Sequence, residues 1–376
     1  MIKYSVTHTS SSGNSRCGKI TTEHGDIETP IFMPVGTQGS VKSVSHDQLI
    51  KLGAEIILGN TFHLYLRPGH DIIKAGGGLH SFIDWKKPML TDSGGFQVYS
   101  LSGIRKITEE GVKFTSPIDG SKHFFSPERA IEIQHDIGAD IIMAFDECTP
   151  YPCEYDYAKA SMHMTHRWLD RCLAYQKEHS TSHDYKQTLA PIVQGSVYKD
   201  LRIESAKYIA TKQAEVYAIG GLSVGEPAPM MYEMTEEVCN HLPREKARYL
   251  MGVGTPINLL ECIDRGIDMF DCVLPTRNAR HGHLYTDQGV INIKNAKWKK
   301  DYSPIDNNST SDLSRRHSKS YLRHLFVVNE AYGLGIASVH NLSFYLWLMK
   351  EARAAIQRDD YGTWKSQMTE RLSRRL

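Results

Sequence analysis

The chain has 376 residues, of which 40% are apolar and 23% charged. That composition can bury a core and excludes a disordered or fibrous chain, and the length suits a single α/β barrel with insertions. The formal net charge of +1 gives no global attraction to a polyanion, so a nucleic-acid partner would need a local basic patch.

From the start, the sequence is mixed and polar, with no apolar signal core and no long uncharged run. The expectation is a cytoplasmic protein without a membrane span. The cysteines, Cys17, Cys148, Cys153, Cys172, Cys239, Cys262 and Cys272, form no close-spaced pairs of metal type. Their odd number reads as reduced thiols.

In chain order, residues 1–29 are predicted to be an antiparallel cap with a turn at His24-Gly25-Asp26. Eight short apolar runs follow as predicted strands, at 30–35, 55–59, 88–91, 140–145, 189–193, 216–220, 249–252 and 268–274. They are rich in Ile, Val, Met and Phe and do not alternate with polar residues, as expected of parallel strands covered on both faces. Helix-patterned stretches at 45–51, 126–136, 156–177 and 228–241 lie between them. Strand alternating with helix eight times predicts a (β/α)8 TIM barrel over 30–280. A hairpin insertion is predicted at 111–126, turning at Asp119-Gly120, and a second hairpin at 282–297. Residues 281–376 form a predicted C-terminal helical subdomain, with a polar loop at 301–320 and helices at 321–332 and 341–357.

Polar residues fall at the ends of the predicted strands. Asp92 follows the third, Asp146 and Glu147 the fourth, and Gln194 the fifth. Gly221, Ser223 and Glu226 follow the sixth, and Asp271 lies within the eighth. The carboxyl ends of barrel strands share one face, so these groups converge. A single Asp after a strand reads equally well as a cap or turn residue. Several around one rim point to a site. Asp271 sits in an apolar run, where a carboxylate is desolvated and seldom kept without a task. Carboxylates around a polar pocket suit chemistry at an anomeric carbon, one attacking the sugar and another moving protons. On this evidence a glycosidase and a glycosyl-exchange enzyme remain comparable readings. Asp146, Gln194 and the backbone at Gly221 could read the edge of a flat base, which favours a nucleobase.

A basic patch follows the same rim: Arg277, Arg280, His281 and His283, then Lys294, Lys297, Lys299, Lys300, Arg315, Arg316, Lys319 and Arg323. It reads either as a solvated charged surface or as a track for a nucleic-acid backbone.

Ordered motifs from about residue 16 to about residue 350 resemble those of the bacterial tRNA-guanine transglycosylases. They include Leu58-Gly-Asn-Thr-Phe-His-Leu, Asp92-Ser-Gly-Gly-Phe-Gln, Phe145-Asp-Glu-Cys-Thr-Pro and Val193-Gln-Gly-Ser. Gly220-Gly-Leu-Ser-Val-Gly-Glu, Leu250-Met-Gly-Val-Gly and Asp271-Cys-Val-Leu-Pro-Thr-Arg continue the series. The resemblance implies exchange of guanine at the anticodon wobble position for 7-aminomethyl-7-deazaguanine, in tRNAs with GUN anticodons (Asp, Asn, His and Tyr), within queuosine synthesis. By that resemblance Asp271 is the nucleophile, forming a covalent intermediate with the ribose, and Asp92 the general acid/base. Asp146, Gln194 and Gly221 hold the base edge, and the Leu222 carbonyl takes the aminomethyl group. Met251 and Phe96 sandwich the ring, with Ser93, Cys148 and Val224 completing the pocket. Arg277 and Arg280 hold the tRNA.

The same resemblance implies a homodimer, matched by Tyr321 and His324, with His317 where a larger aromatic is frequent. Family members usually bind a structural zinc through three cysteines and a histidine. Here Ser309, Ser311 and Ser314 stand at the cysteine positions and only His340 remains, so the expectation is no zinc and no other cofactor. Alternative readings are the same exchange with queuine, for which Val224 leaves less room, and a non-catalytic tRNA-binding chain, which intact Asp92 and Asp271 disfavour.

Overall fold

The computed structural model describes residues 2–11, 13–96, 105–179, 181 and 183–376. Gln97, the last residue of the Asp92-Ser-Gly-Gly-Phe-Gln motif, lies outside the described residues. The chain opens with an antiparallel sheet of β1 (Lys3–Thr9), β2 (Arg16–Thr22) and β3 (Gly25–Thr29). The turn between β2 and β3 uses Gly25 at φ 126°, a backbone conformation that suits glycine.

Parallel segments follow: β4 (Ile31–Met33), β5 (Val35–Gly36), β6 (Ile57–Gly59) and β7 (Met89–Thr91). An insertion carries β8 (Arg105–Thr108), β9 (Gly111–Thr115) and β10 (Lys122–Phe125). Then come β11 (Ile141–Met143), β12 (Thr188–Ala190), β13 (Ile192–Val193), β14 (Val216–Ile219), β15 (Ala247–Leu250) and β16 (Met269–Asp271). The parallel segments pair as two five-stranded sheets, ordered β12-β11-β7-β6-β5 and β13-β14-β15-β16-β4. β4 and β5 are one run broken at Pro34, and β12 and β13 one run broken at Pro191. Each sheet therefore ends on a run that the other continues, and the order closes into a barrel of eight runs. Proline has no N–H to give the ladder, which is why the register splits there. Its carbonyl still serves: Leu58 N donates to Pro34 O at 3.0 Å and Ala218 N to Pro191 O at 2.9 Å.

Alternate residues along the runs divide between two cores. Met33, Leu58, Leu90, Ile141, Met143, Ala218 and Met269 fill the barrel interior. Phe32, Ile57, Met89, Ile142, Ile219 and Phe270 pack outward under the helices. Both faces are buried, so the runs read as continuous apolar sequence. The helices that position the site include α1 (His46–Lys51), α2 (Thr61–Leu66), α3 (Pro127–Ile137), α4 (Tyr155–Glu178), α5 (Lys199–Ala210), α6 (Ala228–His241) and α7 (Leu274–Arg280).

The cap plugs the amino-terminal end of the barrel. Ile2, Tyr4, Ile20 and Ile27 join the interior cluster. Asp268, just before β16 and fully buried, accepts from Tyr4 Oη at 2.9 Å, Arg16 Nη2 at 2.6 Å and Arg248 N at 2.7 Å. Asp140, just before β11, accepts from Met89 N at 2.9 Å and lies 2.7 Å from His24 Nδ1 in the cap turn.

Several element boundaries differ from the sequence reading. The hairpin turning at Asp119-Gly120 is present as β9 and β10, but β8 adds a third strand. The predicted strands 249–252 and 268–274 end at Leu250 and Asp271. Pro275 opens α7 near its first turn, a position proline favours, so the apolar run turns from strand to helix. After the hairpin of β17 (His283–Thr286) and β18 (Gly289–Asn292), the predicted loop at 301–320 contains a short helix, α8 (Asp312–Arg316). The predicted helix 321–332 is not one helix. α9 (Lys319–Val327) stops, Asn329 adopts φ 56°, and α10 (Ala331–Gln357) begins after Glu330, which caps it. The left-handed residue breaks the helix where apolar periodicity carries on. α11 (Tyr361–Ser373) is a further helix that the pattern did not reveal. No helix among the described residues is long and apolar enough to cross a membrane.

Candidate active site

The rim at the carboxyl ends of the runs brings together Asp92 after β7, Asp146 after β11, Gln194 after β13, Gly221 after β14, Met251 after β15 and Asp271 at the end of β16. The parallel register alone delivers them to one face.

Asp92 sits in a cradle built by the Asn60-Thr61 pair. Asn60 caps α2, accepting from His63 N at 3.1 Å, and its Nδ2 donates to Asp92 Oδ2 at 2.6 Å. The Thr61 and Gly94 amides donate to Asp92 Oδ1 at 2.9 and 3.2 Å. Burial dominates and pushes the Asp92 carboxyl up to about 7. The two amides pull it back, and the charges of Asp271 and Asp146 push it further up.

Asp146 is buried beside it. Ser93 Oγ donates to Oδ1 at 3.2 Å and Gln194 Nε2 to Oδ2 at 2.7 Å. Burial raises this carboxyl to about 6 against those bonds, with Glu147 adding to the rise. Gln194, 2% exposed, has its Nε2 committed to Asp146 while its Oε1 has no hydrogen-bond partner. A buried amide oxygen without a partner is an unmet acceptor.

Asp271 is held on one oxygen. Tyr249 Oη donates to Oδ1 at 2.6 Å and Gly252 N at 2.8 Å. Burial raises its carboxyl, and these two donors work against the rise. Both of these bonds fall on Oδ1.

Met251 Sδ lies 3.5 Å from where a Cβ on Gly220 would stand, so this side chain borders the Gly220-Gly221 backbone. Leu222 and Cys148 are buried, Val224 is partly buried and Phe96 is half exposed. Burial pushes the Cys148 thiol up to about 12, so it is a neutral wall of the pocket. The Ser223 and Val224 amides both donate to the Glu226 carboxylate, the latter at 2.9 Å, which ties the loop after β14 into a tight turn.

Arg277 and Arg280 project from α7, directly beyond Asp271. Arg277 is exposed, and Arg280 Nη1 is buried without an acceptor. Lys294, Lys297, Lys299 and Lys300 are exposed further along and make no ion pair among the described residues. Sequence reading missed Asn60, Thr61, Tyr249 and Gly252, which hold the two carboxylates. The signals for the first pair were a capping residue directly after an apolar run and its place in the Leu58-Gly-Asn-Thr-Phe-His-Leu motif.

The residues at the family's zinc position do not suit zinc. Ser314 and His340 are fully buried, with Ser314 Oγ 3.0 Å from His340 Nδ1. His340 Nε2 lies 2.9 Å from the Tyr285 carbonyl, so Nε2 carries the proton and Nδ1 accepts from the serine. Ser309 Oγ pairs with Ser343 Oγ at 3.0 Å and accepts from Ser311 N at 3.2 Å. Neutral hydroxyls already bonded to one another are poor zinc ligands.

A family model described as queuine tRNA-ribosyltransferase matches residues 11–374. The chain is 52% identical over 358 residues to a queuine tRNA-ribosyltransferase of Caldanaerobacter subterraneus, covering 95% of this chain and 94% of that one. It is 52% identical over 366 residues to the enzyme of that name from Ruminiclostridium cellulolyticum, covering 97% of both. It is 50% identical over 370 residues to one from Staphylococcus aureus, covering 98% of this chain and 96% of that one.

The carboxylate cluster yields a titration test. Asp92 ionises near pH 7, raised in part by the Asp271 charge. Asp271→Asn removes that charge, so the Asp92 midpoint should move down. Carboxyl-band infrared titration of both proteins measures the shift. An unchanged or higher midpoint would show that the two groups do not communicate.

Proposed function

The chain belongs to the queuine tRNA-ribosyltransferase family, and we propose that it exchanges the wobble guanine of GUN-anticodon tRNAs for 7-aminomethyl-7-deazaguanine. It is a tRNA-guanine transglycosylase, a pentosyltransferase of queuosine synthesis. The observation that carries the finer reading is the pairing of Asp271 with an acid/base group tuned to neutral pH. Oδ2 of Asp271 attacks C1′ of the ribose, the C1′–N9 bond breaks, and guanine leaves with the bonding electrons. A proton from Asp92 neutralises the departing base. The incoming base then gives its proton to the Asp92 carboxylate and attacks C1′, and the ester to Asp271 opens. A group that must donate in one half and accept in the other works best with a pKa near the working pH, and about 7 fits.

The open Gln194 Oε1, the Asp146 carboxylate and the Gly221 amide offer a mixed donor and acceptor set for the edge of a guanine-like base. Ser93, Cys148, Leu222 and Val224 form the wall around that edge, and Phe96 and Met251 border the ring. The partly buried Val224 narrows the pocket and favours the aminomethyl base over queuine. Arg277, Arg280 and the unpaired lysines after β18 give the phosphates a track although the net charge is only +1. The enzyme acts in the cytoplasm on free tRNA.

Exchange of labelled guanine into tRNA tests the mechanism. Asp271→Asn should lose roughly three orders of magnitude in exchange or more, while tRNA affinity stays within about twofold. Residual exchange near the wild-type rate would remove Asp271 as nucleophile. The same assay run as a competition should favour 7-aminomethyl-7-deazaguanine, and a preference for queuine would reverse the assignment of the base.

The enzyme works as a homodimer. Tyr321, Val327, Val328 and Tyr332 are exposed together on the C-terminal helices, and His317 links Tyr321 at 5.3 Å to Tyr332 at 5.8 Å between ring centres. His324 is exposed on the same helix. Sedimentation velocity at micromolar concentration should give two chains per particle, and a monomer would reject this.

The serine clasp takes the place of zinc. Protein purified without a histidine tag should hold no stoichiometric zinc and melt at the same temperature with or without chelator. The triple variant S309C/S311C/S314C should take up about one zinc per chain. Zinc in the unaltered protein, lost on His340→Ala, would contradict the clasp.

A further inference from the structure

The geometry points to Arg202 as a positioning residue for recognition of the base, an inference that rests on the pocket taking a guanine-like ring. Arg202 stands on α5 and is fully buried. Its Nε donates to Ser196 O at 2.6 Å, Nη1 to Gly220 O at 2.7 Å and Val193 O at 3.3 Å, and Nη2 to Gly221 O at 2.9 Å. No carboxylate lies within ion-pair distance of it among the described residues. Burial pulls the guanidinium down to about 10, against the opposing pull of Cys148 and the more distant Glu226 carboxylate. A buried cation held only by carbonyls is an expensive way to pack a helix on a barrel, and an apolar side chain would do that more simply.

What the guanidinium does is join two rim loops. Val193 and Ser196 flank Gln194, and Gly220 and Gly221 form the loop after β14. A planar fork with fixed N–H directions sets the spacing and tilt of both. The consequence follows from peptide geometry. In a trans peptide the C=O and the next N–H point in opposite directions. Arg202 draws the carbonyls of Gly220 and Gly221 toward itself, so the N–H groups of Gly221 and Leu222 face away from it. The Gly221 N–H accordingly reaches the Cys148 sulfur, on the pocket side. The fit is tight: a Cβ on Gly221, whose φ is 64°, would stand 2.3 Å from Gln194 Oε1.

Arg202 thereby aims backbone donors at the pocket beside the open Gln194 acceptor. A base meeting those donors must present an acceptor, such as the 6-oxo group of guanine. A 6-amino purine would set N–H against N–H and leave a buried donor unpaired, which is the stronger form of discrimination. Arg202 is therefore a determinant of oxo over amino purines, acting through the backbone and without touching the base.

Arg202→Lys keeps the charge but not the fork. Guanine exchange into tRNA, with the two substrates varied separately, should show the base KM raised about tenfold and the tRNA KM within about twofold. Inhibition by guanine relative to 2,6-diaminopurine should lose most of its selectivity. A merely structural role predicts a lower melting temperature with both KM values and the selectivity unchanged, and that result overturns the proposal. If Arg202→Lys does not melt cooperatively, Arg202→Gln carries the same test. If neither folds, Arg202 is a core element and the proposal falls. Wild-type protein that exchanges no guanine would instead remove the reading of the pocket.

Discussion

Three carboxylates meet at one rim, Asp146 buried and Asp92 and Asp271 partly buried, and much of the surrounding structure answers that constraint. Asp92, Asp146 and Asp271 are each raised first by burial, and the Asp92 carboxyl also by the other two. All three cannot be charged cheaply at neutral pH. Neutral groups of the described residues donate to all three. Asn60, Thr61 and Gly94 serve Asp92, Ser93 and Gln194 serve Asp146, and Tyr249 and Gly252 serve Asp271. Burial, helped by the charges of Asp271 and Asp146 and opposed by the Thr61 and Gly94 amides, leaves the Asp92 carboxyl near 7.

The barrel uses the same residue type at its other end for a different purpose. Asp268 and Asp140 precede strands, while Asp271 ends one and Asp146 follows one. The buried Asp268 is charge-paired with Arg16 at 2.6 Å and accepts from Tyr4, which seals the cap on the barrel floor. Burial raises Asp140, but the bonds from His24 and His80 override it and hold the carboxyl down at about 2. The aspartates at the floor are met by a cation or imidazoles, and those at the rim by hydroxyl and amide donors. Only Met269 and Phe270 separate Asp268 from Asp271, enough to carry the chain from a structural anchor through the barrel to its rim.

Periodicity made the barrel legible because every run is buried on both faces and so stands out as apolar sequence. The split of two runs at Pro34 and Pro191 was visible as residues, but its effect on the ladder required the pairing. The break at Asn329 was not legible, because a left-handed residue can sit in an apolar pattern without disturbing it. The site was half legible. Groups at the ends of runs could be placed on one face by topology alone, which recovered Asp92, Asp146, Gln194 and Asp271. The groups that orient them come from elsewhere: Asn60 from the neighbouring run, Tyr249 from inside β15, and Arg202 from the far side of a loop. Nothing in their local sequence marks an arginine on a helix as holding two carbonyls across a rim.

The loop at 303–318 shows the same logic with metal chemistry in the background. A thiolate cluster carries charge and holds together only around a cation, whereas hydroxyls can satisfy one another. Here Ser314 gives its proton to His340, His340 gives its own to Tyr285 O, and Ser309 and Thr310 meet on Ser343. Each bond sets the direction of its neighbour, and the tautomer of His340 is fixed by the carbonyl at one nitrogen and the serine at the other. Burial keeps that imidazole neutral, as the chain of donors requires. Asn341, the next residue on α10, bonds Tyr285 N and the carbonyls of Pro275 and His283, so the helix that carries the clasp also grips α7 and the hairpin behind the rim. Arg277 and Arg280 stand on that α7. Their placement thus depends on packing against α10.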